Sequence, residues 1–190
     1  GPPGFEDEPR EILREALEDD VDEVKVDRLG NIFFRLKGDE ERPLVMVAAH
    51  TDEVAILITH IDEDGFLRFH TLGGIPEREM PGQRFLFNGR EGMIKGIIGT
   101  KPPHIMKEEE KKKVVPMEDL FIDVGATSRE EAEAKGCHIG MTGVFDVEFT
   151  KLGDGFIRGK AFDDRVGCVV MAETLRRLKG TGVNVFGVGT

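Results

Sequence analysis

The stretch "LVMVAAHTDEVA" (Leu44–Ala55) decides the fold. A short apolar run that stops at polar residues reads as a strand buried on both faces, the kind found inside a helix-covered sheet. In such sheets, ligands and reacting groups gather at the carboxyl ends of the strands. His50, Thr51, Asp52 and Glu53 stand at that end. Chemistry is expected there if partners arrive from elsewhere in the chain.

Upstream, "EDEPREILREALEDDV" has Ile12, Leu13, Ala16 and Leu17 at helical spacing, with Pro9 in the first turn. "VDEVKVDRLGNIFFRLKG" reads as two strands joined at the turn-prone pair Gly30-Asn31. Downstream the texture becomes β-rich. "ILITHIDEDGFLRFHTLGGI" alternates about a "DEDG" turn, with Phe66, Arg68 and His70 on the face opposite Leu67 and Phe69. "QRFLFNGREGMIKGIIGTKPP" turns at "NGREG". "LFIDVGATSREEAEAKG" gives a strand and a short helix, with Ser128 and Glu131 at capping-box spacing. "VFDVEFTKLGDGFIRGKAF" is β again. After Asp163 a longer helix is expected, with Val166, Val169, Val170, Leu175 and Leu178 as its buried stripe and Gly180 as its stop. "VNVFGVGT" then reads as another core strand. The ends of the chain are therefore α/β and the middle is a β-rich insert. "HIMKEEEKKKVVP" is charged enough to expect a solvated loop.

Composition narrows the class. A net charge of −11 over 190 residues argues against nucleic acid or an anionic membrane surface as partner. Cys137 and Cys168 are too few for a disulfide framework. No apolar run approaches the roughly 20 residues of a membrane span. "GPPGFEDEPR" lacks both the basic start and the apolar stretch of a signal peptide. A reducing, cytoplasmic setting is expected.

Two motifs carry chemistry. In His50-Thr51-Asp52 the first and third side chains of an extended segment share a side. His50 could therefore bind a metal while Asp52 orients and polarises the imidazole; a surface pair or a helix cap would use the same residues. In "GKAFDDRVGC" (Gly159–Cys168), adjacent aspartates entering a helix could simply cap it. A carboxylate held there could also bridge two divalent cations about 3.5–4 Å apart. His60, His70, His104 and His138 have no ligand-like partner at short spacing and read as structural or surface residues. Cys168 reads as core rather than nucleophile.

Taken together, the chain resembles the M42 family of metallo-aminopeptidases, which includes the tetrahedral, twelve-subunit TET peptidases. The resemblance is carried by "GFEDEPRE", "VKVDRLGN", "AAHTDEVAILITHIDEDGFLRF", "LGGIPE", "KPPH", "FIDVGATSREEAEAKG", "FTKLGDG" and "GKAFDDRVGC". It implies an α/β fold: a partial, helix-covered aminopeptidase sheet of the phosphorylase/hydrolase-like kind, with an inserted β-rich, barrel-like dimerisation domain. Residues 1–57 and 153–190 would form the catalytic portion and 58–152 the insert.

The resemblance also assigns roles. His50 would bind one metal of a two-metal centre and Asp163 would bridge both. Asp52 would be the catalytic acid that tunes His50, and Asp164 would follow Asp163 across a cis peptide. The cofactors would be two divalent ions, zinc or cobalt, in a complete enzyme that releases amino-terminal residues from peptide substrates. Partners would include further copies of the chain, joined through the insert as a dimer or dodecamer, with "HIMKEEEKKKVVP" approaching a neighbour's active site. In the family, the strand matching "VNVFGVGT" leads into two glutamates, one the general base and one a ligand, with an aspartate and a histidine ligand later. The 190 residues are accordingly expected to be the amino-terminal half of such an enzyme and inactive alone. The alternative is an inactive module whose job is oligomerisation. Glycoside hydrolysis, suggested by cellulase labels on relatives, ranks below both, because the chain has no Trp or Tyr to form a sugar platform.

Overall fold

Along the chain the first elements are α1 (Asp7–Leu17), β1 (Glu23–Val26), β2 (Ile32–Leu36) and β3 (Leu44–Ala49). There follow β4 (Ala55–Ile61), β5 (Leu67–Leu72), β6 (Arg84–Gly89), β7 (Gly92–Gly99), β8 (Phe121–Asp123), α2 (Arg129–Ala134) and β9 (Thr142–Phe145). The last are β10 (Thr150–Lys151), β11 (Ile157–Arg158), α3 (Phe162–Leu178) and β12 (Asn184–Gly189). The computed structural model describes residues 1–109 and 113–190. Residues 110–112, at the centre of "HIMKEEEKKKVVP", lie outside the described residues.

The chain forms two compact units, residues 1–53 with 161–190, and residues 54–160. These boundaries lie several residues from the 57/58 and 152/153 that the resemblance implied. Ala55, Ile56 and Leu57 already pair with Leu72, Thr71 and His70 of β5, and β11 pairs with β10.

In the first unit the sheet order is β1-β2-β12-β3, with β12 antiparallel to β2 and parallel to β3. Asp27 shapes the β1–β2 turn by accepting hydrogen bonds from the N–H groups of Leu29 and Asn31 at 2.9 and 3.0 Å. α1 buries Leu13 and Leu17 and leaves Ile12 exposed. Both residues join Ile32, Phe34, Leu36 and Val185 of the sheet and Met171 and Leu175 of α3 in one core.

Two expectations need correction. β3 is not buried on both faces: it is an edge strand with β12 on one side, and Leu44, Val45 and Met46 are exposed. An apolar run shows that a strand needs cover, not where the cover comes from. The buried stripe of α3 is also not Val166, Val169 and Val170, which are exposed, but Cys168, Met171, Ala172 and Leu175. At about 100° per residue the two sets lie on opposite sides of the helix. The sheet takes the side with the small residues Cys168 and Ala172, because α3 packs directly on the strand at Gly187. A β-carbon there would come within 2.6 Å of Leu175 Cδ1.

The second unit is a closed antiparallel barrel in the order β4-β5-β8-β7-β6-β9, with β9 pairing back to β4. Alternation fills it: Leu67 and Phe69, and Phe85 and Phe87, all point to the buried core. Closure removes the free edges that an open sheet of this length would present. Ser128 Oγ caps α2 by accepting from the Glu131 N–H at 3.2 Å. The Glu131 carboxylate reaches Thr127 instead, accepting from its N–H at 2.8 Å and its hydroxyl at 2.9 Å, so the capping box is displaced by one residue. β10 and β11 form a separate hairpin. Among the described residues no helix is long and apolar enough to cross a membrane.

Candidate active site

β3, α3 and β12 form a βαβ unit whose chain detours through residues 54–160 between strand and helix. In such a unit the crossover helix begins at the carboxyl end of the first strand, where α/β sheets bind their ligands. That topology brings His50, just past β3, to Asp163, at the start of α3. His50 Nε2 lies 3.0 Å from Asp163 Oδ1, and His50 Nδ1 lies 2.8 Å from Asp52 Oδ1. The first segment is fixed by β12. Thr190 N–H donates to the Ala49 carbonyl at 3.0 Å, and Thr51 N–H and Oγ1–H donate to the Thr190 carbonyl at 2.7 and 2.9 Å. These bonds carry the parallel ladder past the end of β3 and hold residue 50 in place.

The imidazole is therefore held between two carboxylates. Partial burial pulls its pKa down, but the hydrogen bonds to Asp163 and then Asp52, with the charges of both, raise it above the ordinary histidine value. With Nδ1–H donated to Asp52, the Nε2 lone pair faces Asp163 Oδ1, and two lone-pair atoms at that distance require a proton or a cation between them. The donor set fits a divalent metal, since neutral imidazole nitrogen and carboxylate oxygen are both ordinary ligands. Asp163 is 96% exposed, which leaves its carboxylate open to a second ion. Among the described residues no group of three or more His, Cys, Asp or Glu is assembled to hold a metal. The pair alone offers two donors, whereas a bound divalent metal takes four or more.

A sequence profile of the M42 glutamyl aminopeptidase family matches residues 30–190. The chain belongs to that family. The M42 chain is 38% identical to the lysyl aminopeptidase of Pyrococcus furiosus over 170 residues, covering 89% of this chain and 49% of that protein. Its fold matches a TET aminopeptidase from the marine sediment archaeon Thaumarchaeota archaeon SCGC AB-539-E09, with TM-score 0.94, 44% identity, and coverage of 100% of this chain and 55% of that one. It also matches the Pyrococcus horikoshii TET1 peptidase, which can assemble into a tetrahedron or a large octahedral shell, with TM-score 0.85, 33% identity, and coverage of 100% and 57%. The M42 chain spans about half the length of the curated relatives it matches.

The helix entry of this M42 chain is built around the second aspartate. The Asp163–Asp164 peptide is cis and Ala161 has φ 58°. Asp164 accepts from the Gly167 N–H at 3.0 Å, capping the first turn of α3. A β-carbon at 167 would overlap that carboxylate, so Gly167 is required for the cap. The capping role considered for the aspartate pair thus falls to Asp164, and Asp163 faces His50.

The sequence reading assigns no role to Arg165, Glu53 or Thr51, although it carries a signal for one. Alternation puts Thr51 and Glu53 on the side opposite His50 and Asp52, and both are buried. A buried acid calls for a cation, and Arg165 is the basic residue of the second motif. Its Nη2 lies 3.5 Å from Glu53 Oε1. Cys168 is buried, as expected, and donates its thiol to the His50 carbonyl at 3.3 Å. His60, His70, His104 and His138 all belong to the barrel unit.

Proposed function

We propose that this chain supplies part of the dinuclear centre of an aminopeptidase that releases amino-terminal residues from peptides. In this reading His50 is a terminal ligand, Asp163 is the bridging ligand, and Asp52 is the acid that tunes the histidine. The observation that carries it is the imidazole held between Asp52 and Asp163, on elements brought together by the βαβ unit. Two divalent ions, zinc or cobalt, would when bound supply Lewis-acid polarisation of the scissile carbonyl and acidify water.

The chain's own residues prepare the site. Asp52 holds the proton on Nδ1, which presents the Nε2 lone pair and makes it a stronger donor. Asp163 offers one oxygen toward His50 and keeps the other accessible. The cap formed by Asp164 on the Gly167 N–H fixes the helix start from which Asp163 projects. Remaining ligands and the general base would come from parts of the complete enzyme that this chain does not include. The Thr190 backbone is hydrogen-bonded beside Thr51, at the His50 edge of the sheet.

In the complete protein, His50→Ala and Asp163→Ala are each expected to abolish tight metal retention and release of p-nitroaniline from amino-acid p-nitroanilides. Elemental analysis showing two tightly held ions in either variant would overturn the assignment. The described chain alone is expected to show no turnover.

We also infer self-association, supported by the assembling TET1 relative and by a short hairpin in the barrel unit that exposes Phe149, Leu152, Phe156 and Ile157. The occupant of that surface is a second copy of the chain.

A further inference from the structure

The metal-facing pair is attached to the fold from behind by side chains that are not ligands. Glu53 is only 5% exposed, three residues after His50. A carboxylate removed that far from water is costly unless a cation meets it. Arg165 meets it with Nη2 at 3.5 Å, and its Nε–H donates to the Thr51 carbonyl at 3.4 Å. Thr51 lies between His50 and Asp52, and Arg165 lies two residues after Asp163. One guanidinium therefore ties the segment that bears the histidine to the helix start that bears the bridging aspartate. Cys168, one turn further along α3, adds its thiol bond to the His50 carbonyl at 3.3 Å.

We infer that Arg165 is a positioning residue for the metal centre: by holding Thr51 and Glu53 against the start of α3 it sets the separation of His50 Nε2 and Asp163. The inference rests on His50 and Asp163 being ligands. A guanidinium suits the task because its donors form a rigid planar fork, so two acceptors are gripped at a set angle. Carbonyl and carboxylate here occupy different donors of that fork. Without the fork, residues 50–53 keep their ladder to Thr190 and the Cys168 thiol bond but lose the guanidinium link to the start of α3.

The test is cobalt(II) titrated into the metal-free complete protein carrying this chain, followed by calorimetry and by the visible spectrum of bound cobalt. Arg165→Met is expected to weaken cobalt binding about tenfold, the low end for groups that support a metal ligand, and to shift the cobalt absorption bands. Glu53→Gln is expected to act in the same direction. His50→Ala is the control and should lose the ion outright. If His50→Ala keeps two tight ions, the ligand reading itself fails. If His50→Ala loses metal while Arg165→Met binds cobalt with wild-type affinity and spectrum, the positioning role is overturned. A lowered melting temperature alone, with affinity and spectrum unchanged, has the same consequence. Should Arg165→Met not fold, Glu53→Gln decides: unchanged affinity and spectrum overturn the inference.

Discussion

His50 has a carboxylate on each ring nitrogen, and the two do different work. Asp52 holds Nδ1 at 2.8 Å, while Asp163 stands opposite Nε2 at 3.0 Å. If His50 is the proposed ligand, removing Asp52 leaves it in place but frees the ring to rotate and to change tautomer. Asp52→Ala in the complete protein is expected to lower metal affinity about 10–100-fold while the apo protein keeps its melting temperature. Calorimetric titration with zinc checks this, and an unchanged affinity would detach Asp52 from the centre. At this scale the sequence was informative. The i, i+2 relation in an extended segment already put His50 and Asp52 on one side, and the aspartate pair marked the helix entry. The adjacent Asp163 and Asp164 could not be told apart by spacing. Their division of labour, one toward His50 and one onto the Gly167 N–H, exists only in the folded turn.

α3 shows what periodicity can and cannot settle. It carries apolar residues on two opposite sides, so hydrophobic spacing alone could not say which one meets the sheet. The choice came from Gly187, whose missing side chain lets Met171 and Leu175 approach the strand. In this 190-residue chain, Met171→Ala is therefore expected to cost about 2–5 kcal/mol, and Val169→Ala less than about 0.5 kcal/mol. Urea unfolding of the two variants compares them, and the reverse order would restore the valine stripe as the buried one.

The far end of the same helix is fastened electrostatically. Arg176 and Lys179 reach Asp20 at 3.1 and 3.2 Å, just past α1, and their side-chain hydrogen bonds, Arg176 first, lower the Asp20 pKa. A carboxylate with a lowered folded-state pKa stabilises the fold fully above its unfolded value, about 3.9. That contribution is lost as pH falls through the lowered value. Asp20→Asn should therefore unfold more readily than wild type at pH 6, and the gap should narrow as pH falls below the unfolded value. A stability gap that does not narrow on acidification would remove Asp20 from the fastening.

Across the whole molecule, two units divide the work. The α/β unit carries the candidate metal residues, and the barrel unit closes on its own core of Ile58, Leu67, Phe85, Phe87 and Ile122. The proposed self-association would use the apolar side chains left exposed on the β10–β11 hairpin of the barrel unit. Phe156 is 72% exposed, and Phe156→Glu is expected to shift the complete protein to smaller assemblies in sedimentation velocity without changing its unfolding midpoint. An unchanged distribution would move the interface elsewhere.

Local chemistry is what the amino-acid order determined by itself. It set the turns at Gly30-Asn31, "DEDG" and "NGREG", the alternation that fills the barrel, the α/β texture of the two ends, and the two motifs that stand out as chemical, because each depends on residues near one another in the chain. The rest was decided by tertiary structure. A βαβ crossover brought His50 to Asp163 across 113 positions, and placement at the sheet edge left β3 half covered despite its apolar run. Contacts across the sheet also chose the face of α3 and put Arg165 against Glu53. These outcomes depend on which surfaces meet in space, and meeting in space is not a property of any local stretch.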